Sequence, residues 1–501
     1  MNESSWLLWS LILLPTIGAL TILPISKEDP TSARSAALLW SIVTFFVSVP
    51  LFFLYDRTGP VFQLGSEHAW IPVIGASFKL AIDGISLLLI LLTTFLVPIT
   101  ILASWRSIDH RVKEFHAAML FLESTMIGVF CARDLLLFYL FWEAMLVPMF
   151  LMIGVWGGQN RVRAAVKFFI YTAVGSLLML AALLYVYAAT KANSFDLDKI
   201  EAALALKAGD PDWNHAQIWL FAAFALAFAI KVPLFPLHTW LPHAHVEAPA
   251  AGSVILAAVM LKMGGYGFVR LAIPLFPHGA VACAPTIIAL AATGVVYGSL
   301  MALSQTDVKR LIAYSSVAHL ALVVLGIFAF TSIGIAGGVY QMLAHGLSTG
   351  ALFLLVGCIY ERRHTREVSE LGGLAAPAPR LAACFVIASF ASVALPTTSG
   401  FVGEFLILLG GFKAHLYAAT AVAALGGILG AGYMLLVTRR VFFGEAKGEN
   451  ARIADLQTRE IVFLSPVIIM IFVLGLCPKP FLDRIGPSVD RVAAAVSGKG
   501  A

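Results

Sequence analysis

The sequence predicts an all-α integral membrane protein of about 14 transmembrane helices, with two inverted five-helix repeats and broken helices at spans 7 and 12. Three observations predict it. Of 501 residues, 60% are hydrophobic and only 12% charged, against roughly a quarter charged in soluble globular domains. Mean hydropathy is +0.91. Apolar stretches close to the ~20 residues that a spanning helix needs recur along nearly the whole chain. A membrane bundle can grow as one unit, so the length does not require several domains.

The stretches fall at 5–25, 35–55, 82–104, 115–132, 134–156, 163–190, 216–242, 248–273, 282–303, 309–329, 333–360, 381–411, 416–443 and 460–479. The first 25 residues show neither a basic leader nor a small-residue cleavage site, so they read as a retained span. Segment 56–80 is too polar to span and carries Pro60, Gly65, Pro72 and Gly75, the signature of a surface hairpin. Segment 191–214 is acidic and reads as a short solvent-side helix broken by Pro211. The chain therefore divides into an N-terminal three-helix segment with an outer-side hairpin (1–114), a first five-helix repeat (115–273), a second (282–443), and a last span with its tail (444–501).

Composition also excludes function classes. The net charge of +5 is spread over many loops with no basic run, which sets nucleic-acid binding aside. Cys131, Cys283, Cys358, Cys384 and Cys477 form no C-x-x-C pair and no iron–sulfur spacing. No dinucleotide or P-loop glycine pattern follows a strand. Any redox or nucleotide chemistry is expected on another polypeptide, and no metal or cofactor site on this one. Loop lysines and arginines, taken alternately, divide about 19 to about 12, which places both termini on the outer side, away from the cytoplasm.

Against this apolar background stand charges that a bilayer disfavours by about 2.5–3.5 kcal/mol each at helix centres. Glu143 lies in FYLFWEAML, Lys231 in LAFAIKVPLF, Lys262 in AAVMLKMGGYG and Glu404 in GFVGEFLILL. Together they cost on the order of 10 kcal/mol, comparable to the net stability of a whole domain. Glu123 in MLFLESTMIGV is a further candidate, and His319 and His345 also lie within spans. One reading is structural: paired or snorkelling groups holding helices together. The other is transport of protons or cations, because a buried lysine loses its proton on desolvation and regains it when a carboxylate approaches. Bringing Glu143 to Lys231 would load a proton, and histidines titrating near neutrality would relay it.

Two helix breaks support transport. Pro233 and Pro236 follow Lys231 and deprive the carbonyls of Ala229 and Val232 of their helical donors; Pro396, before Glu404, does the same to Ser392. Exposed backbone at membrane depth survives only against protein or water. Breaks five spans apart imply an inverted second unit, spans 4–8 and 9–13. In HTWLPHAHVEAPAAGS, His243 and His245 are spaced unlike any standard zinc site. A polar, hydrated mouth with His238 as relay is the stronger reading.

The runs LFWEAMLVPM, KVPLFPLHTWLPHAHVEAPAAGSVILAAVMLKMGGYG, SQTDVKRLIAYSSVAHL and LPTTSGFVGEF resemble those of the antiporter-like subunits of respiratory complex I, which share ancestry with multisubunit cation/proton antiporters and membrane-bound hydrogenases. The resemblance covers essentially the whole chain. Glutamate at 404 resembles the M-type branch rather than the L and N types, and lysine at 262 resembles the M type rather than the L type. The resemblance implies an acid on span 5 (Glu143) paired with a lysine on span 7 (Lys231), a central lysine (Lys262), a terminal acid (Glu404), and polar relays between them (His319, His345). Glu123 matches a further acid on span 4. It also implies proton pumping driven by NADH oxidation and quinone reduction on other subunits, which would carry flavin and iron–sulfur clusters. Neighbouring antiporter-like subunits and membrane lipids are the implied partners, and a bacterial inner membrane the implied location. Rival readings are a sodium/proton antiporter subunit, a hydrogenase-linked subunit, and a structural scaffold. Sodium-dependent flux without NADH, a nickel-containing partner, or lysine variants that alter only assembly would mark each in turn.

Overall fold

Aspartates start many of the helices. Asp29 accepts from Ser32 N, Asp134 from Leu136 and Leu137 N, Asp210 from Asp212 N and Asp307 from Arg310 N, while Asp83 and Ser86 form a reciprocal capping box. Each such cap contributes about 1 kcal/mol by satisfying amides that the first turn leaves free. The computed structural model describes residues 6–497. Residues 1–5 and 498–501, including the start of the predicted first span and both extreme termini, lie outside the described residues.

Helices α1 (Trp6–Ile22) and α2 (Pro30–Leu54) lead into a two-stranded antiparallel hairpin, β1 (Gln63–Ile71) and β2 (Ala76–Ile82), where segment 56–80 predicted one. Then follow α3 (Gly84–Ser104), α4 (Val112–Cys131), α5 (Leu135–Ala144) with α6 (Leu146–Trp156), α7 (Arg161–Thr190), the short α8 (Leu197–Ala205), α9 (Pro211–Lys231) and α10 (Trp240–Glu247). Next, α11 (Ala250–Ile255), α12 (Lys262–Gly267) and α13 (Ile273–Leu275) form one rod joined through two wider turns, Leu256–Met260 and Phe268–Ala272. The second half holds α14 (Pro277–Leu303), α15 (Val308–Phe328), α16 (Ser332–Arg363), α17 (Pro379–Ser392), α18 (Ser399–Lys413), α19 (Tyr417–Phe442), α20 (Thr458–Leu476) and α21 (Lys479–Ser497). Twelve helices are long and apolar enough to cross a membrane, with Leu135–Trp156 and Ala250–Leu275 each taken as one; Trp6–Ile22 and Pro379–Ser392 are shorter apolar helices. The chain is an integral, multi-pass membrane protein.

Burial identifies the centre. The rod Ala250–Leu275, α15 and α16 are almost wholly enclosed, whereas α2, α7, α14 and α19 present broad apolar faces outward. Small residues permit the closest approaches, as expected where lipid supplies no hydrophobic drive between helices. A Cβ on Gly264 would stand 2.6 Å from the Phe228 carbonyl, so the rod meets the last turns of α9 through this glycine.

The two predicted breaks are present, with differences in detail. Span 216–242 stops being an α-helix at Lys231, and the Ala229 carbonyl is not left free: the Leu234 N–H reaches it at 2.8 Å, a wider loop that replaces the bond proline removes. Trp240 Nε1 similarly donates to the Ile230 carbonyl at 2.9 Å. Span 381–411 is divided between α17 and α18, with Ala394 and Thr397 in left-handed backbone between them. Pro211 does not break a helix; it occupies the first turn of α9, where its missing N–H is harmless. The tail predicted after the last span contains α21, whose Pro480 and Pro487 hid its amphipathic pattern.

Polar groups tie both ends of the bundle. On the hairpin side, the Asp134 carboxylate accepts from Ser77 N at 2.9 Å and Lys79 bridges Asp196 and Asp198 at 2.8 Å each. On the opposite side, Arg362 of α16 makes a bidentate pair with Glu460 of α20 at 2.7 and 2.6 Å, and the Asp455 carboxylate accepts from Arg380 and Leu381 N at the start of α17. Replacing Glu460 with alanine leaves Arg362 uncompensated and is expected to lower stability by about 3 kcal/mol, read as a fall in the thermal midpoint. Partial burial would raise the Asp455 carboxyl, but the N–H groups of Leu456, Arg380 and Leu381 outweigh it and hold it below the ordinary 3.8. Its contribution is therefore complete above pH 3.8 and lost as pH falls further; an Asp455→Asn chain should lose this acid dependence in thermal melts.

Candidate proton path

Lys262 is the hub. It lies on the enclosed rod, is 0% exposed, and its Nζ meets His345 Nδ1 of α16 at 2.6 Å and the Ala257 carbonyl. Ala257 sits in the first wide turn, where an i→i−5 offset leaves a carbonyl available to a side chain. The His345 ring stands 5.7 Å, centroid to centroid, from that of His319 on α15. His319 Nδ1 in turn lies 3.1 Å from Glu404 Oε1 on α18. Four predicted residues from four helices thus form one row, Lys262, His345, His319, Glu404, two of its three steps within direct hydrogen-bond reach.

The break between α17 and α18 places Glu404 at the end of this row. Its Oε1 also accepts from Gln341 Nε2 at 3.1 Å. Ser392 Oγ, the last residue of α17, stands 3.5 Å from His319 Nε2. A Cβ at Gly403 would sit 2.5 Å from Gln341 Oε1, so the contact between α18 and α16 needs glycine there. Gln341 and Ser392 were not singled out by the sequence. Gln341 had a usable signal, since it precedes His345 by four residues and shares its helix face.

The other half of the predicted site is arranged differently. Lys231 is 1% exposed, and its ammonium rests over the rings of Trp142 at 5.2 Å and Phe168 at 5.8 Å. Among the described residues no ion pair joins it to Glu143, although the two are near enough to interact through space. Glu143 is half-buried, at the junction of α5 and α6, with Ser176 beside it. The predicted pair is therefore separated here, and aromatic faces hold the lysine. No hydrogen bond among the described residues links Lys231 to Lys262.

Glu123 is fully buried with neither carboxylate oxygen bonded, and it does not join the row. His238 is buried, with Phe235, Tyr297 and Tyr314 around its ring at 5.8, 5.0 and 6.4 Å. His243 is exposed while His245 is buried against Phe353, because residues two apart on α10 point to different sides. Among the described residues no cluster of histidine, cysteine and carboxylate could hold a metal. Lys309, counted with the loop cations from sequence, is 5% exposed and donates to the Ala248 carbonyl. Beside it Arg366 donates to Val246 O at 2.9 Å, so two cations meet the carbonyl end of α10.

Titratable side chains aligned across four helices, inside a largely apolar bundle, define a polytopic membrane protein with an internal polar row. Residues 132–430 match the family described as NADH:quinone oxidoreductase/Mrp antiporter, TM, and the chain belongs to that family. It is 48% identical to the NADH-quinone oxidoreductase subunit M of Rhodobacter capsulatus over 488 residues, 96% of this chain and 94% of the relative. It is 44% identical to the subunit M of Rickettsia conorii over 487 residues, 96% and 97% of the two chains. Among solved structures it resembles a chain of respiratory complex I from Thermus thermophilus with bound NADH, at TM-score 0.89 and 35% identity, covering 98% of this chain and 99% of that one. The resemblance drawn from the sequence runs is thereby upheld.

A Gly403→Val chain is expected to lose about 1–3 kcal/mol through overpacking. A cryo-EM map of it should show the Glu404–His319 contact opened beyond hydrogen-bond range.

Proposed function

We propose that this chain is a proton-translocating subunit in the membrane arm of an NADH:quinone oxidoreductase. The observation that carries the proposal is the row from Lys262 through His345 and His319 to Glu404, a line of exchangeable protons where the bilayer otherwise excludes charge. Redox chemistry belongs to partner subunits, and this chain takes no electron itself. Flavin and iron–sulfur clusters are assigned to those partners, as is the quinone site. In this reading twelve long helices, the short α1 and the paired α17–α18 make 14 crossings, with spans 4–8 and 9–13 as inverted repeats. Both termini face outward from a bacterial inner membrane, and neighbouring antiporter-like subunits flank the chain.

Each residue then has a task set by its surroundings. Lys231, held over Trp142 and Phe168, is a cation whose partner Glu143 stands back. Movement of Glu143 toward it favours the protonated ammonium; withdrawal favours release. Between Lys231 and Lys262 the proton crosses a gap that water must bridge. Lys262 Nζ lies 2.6 Å from His345 Nδ1, so proton transfer between them in either direction needs only a shift along an existing contact. The ring-to-ring separation of His345 and His319 is one that a water spans or a ring rotation closes. His319 delivers to Glu404, which Gln341 orients by a single N–H. Moving one charge against 100 mV takes about 2.3 kcal/mol, within the range that pairing or unpairing a buried carboxylate supplies. Glu123 and His238 remain secondary relay candidates off this line.

NADH-driven proton uptake into proteoliposomes containing the assembled complex tests the proposal. Lys262→Ala and Lys231→Ala should each abolish most uptake and depress quinone reduction with it, because coupled steps stall together. Uptake at the full proton-to-electron ratio in Lys262→Ala would remove the row from the mechanism. Flux that depends on sodium and ignores NADH would favour an antiporter instead.

A further inference from the structure

The flank formed by α2, α3 and α20 carries a cavity that the proton path does not use. It holds about 330 Å³ and is walled almost wholly by carbon, including Phe45 and Phe52 of α2, Leu88 and Phe95 of α3, Leu343 of α16 and Phe481 of α21. From Phe45 to Phe53 it follows α2 for about 12 Å at 1.5 Å per residue, descending from the hairpin side of the bundle. Its floor is α16: Leu343 and Leu347, 4% and 2% exposed, stand two residues either side of His345. The groove therefore backs the helix turn that presents His345 to Lys262.

Walls of this kind attract nothing by themselves in a bilayer, because lipid chains are as apolar as leucine. The rim supplies discrimination. Where the groove reaches the hairpin side, Arg484 lies 3.5 Å over the Phe52 ring and donates to the Phe52 carbonyl at 3.0 and 2.8 Å. Arg57 and Lys479 both reach Asp483, at 2.9 and 2.8 Å, and both remain largely exposed. Asp56 is turned onto Thr58. Three cations therefore face two carboxylates at the mouth of the groove. Arg57 and Lys479 each spend one donor on Asp483 and keep the others free.

We propose that this flank is a binding site for one anionic phospholipid, with an acyl chain in the groove and its phosphate between Arg57 and Lys479 at the rim. The apolar walls fix where the chain lies, and the surplus positive charge selects an acidic headgroup over a zwitterionic one. A seated chain also fills the space behind the His345 turn, so the lipid buttresses the relay helix from the membrane side. The inference rests on the fold and its charges, and it stands whether or not the proton path is as assigned.

The test uses the complex containing this chain, extracted in mild detergent and incubated with equal phosphatidylglycerol and phosphatidylcholine. Native mass spectrometry of the released chain reads which lipid stays bound. Phosphatidylglycerol should be retained on the wild type, and its retention should fall about 5-fold for each cation removed in Lys479→Gln and Arg57→Gln. Both side chains are exposed, so these variants should fold normally. Val473→Trp, which places an indole on the groove wall, should exclude the lipid while leaving the rim intact. Equal retention of the two lipids by the wild type, or unchanged retention in the double cation variant, would overturn the proposal. So would lipid still bound to Val473→Trp, since the groove would then not hold the chain.

Discussion

An ammonium group at the centre of an apolar bundle needs partners, and much of this architecture follows from how Lys262 obtains them. Its Nζ is shared between a carbonyl of its own rod and a histidine from the longest helix. That carbonyl lies where the rod widens at Leu256–Met260. For His345 to arrive, α16 must pack flush against the rod, and only then does the next histidine come within range of a carboxylate. The glycine at 403 completes the sequence of dependencies by letting α18 close on Gln341. Remove the central ammonium and neither the wide turn nor the polar row has a reason to exist in hydrocarbon.

The two halves of the polar line are in different conditions. Around Lys262 and Glu404 the groups touch. Around Lys231 and Glu143 the cation is held by aromatic faces and its acid stands off. Cation–π contacts of about 1–2 kcal/mol are weaker than a desolvated ion pair of good geometry, so the lysine is parked rather than locked. A small movement at the α5–α6 junction, where the helix is already interrupted at Met145, changes which partner prevails.

Much of this was legible in the sequence because the bilayer makes charge conspicuous. Glu143, Lys231, Lys262 and Glu404 stood out against apolar neighbours, and proline marked both breaks. What the sequence concealed was contact across distance: Lys262 and His345 are 83 residues apart and His319 and Glu404 are 85 apart, so their adjacency depends on packing rather than on pattern. Gln341 and Ser392 passed unnoticed because an amide or a hydroxyl within a span is unremarkable by composition. Lys309 looked like a loop cation because its neighbours are polar, yet the end of α10 encloses it. The Ala229 carbonyl was read as orphaned on the assumption that only the i+4 donor can serve, and the backbone supplied the next one. Helix α21 was missed because two prolines broke a pattern that the fold tolerates.

The widened turns of the Lys262 rod have a consequence in counting rather than chemistry. Each wide turn accommodates one residue more than a regular α-helical turn of about the same rise and rotation. Deleting a single residue from Leu256–Met260 would close the wide turn to a regular one with its flanks nearly unmoved in span and phase, yet remove the i→i−5 offset at the carbonyl that Lys262 Nζ meets. The partner that the central lysine meets is therefore encoded in the number of residues within the wide turn, as much as in the identity of any of them. A scan that exchanges side chains one by one leaves that number untouched and is blind to it.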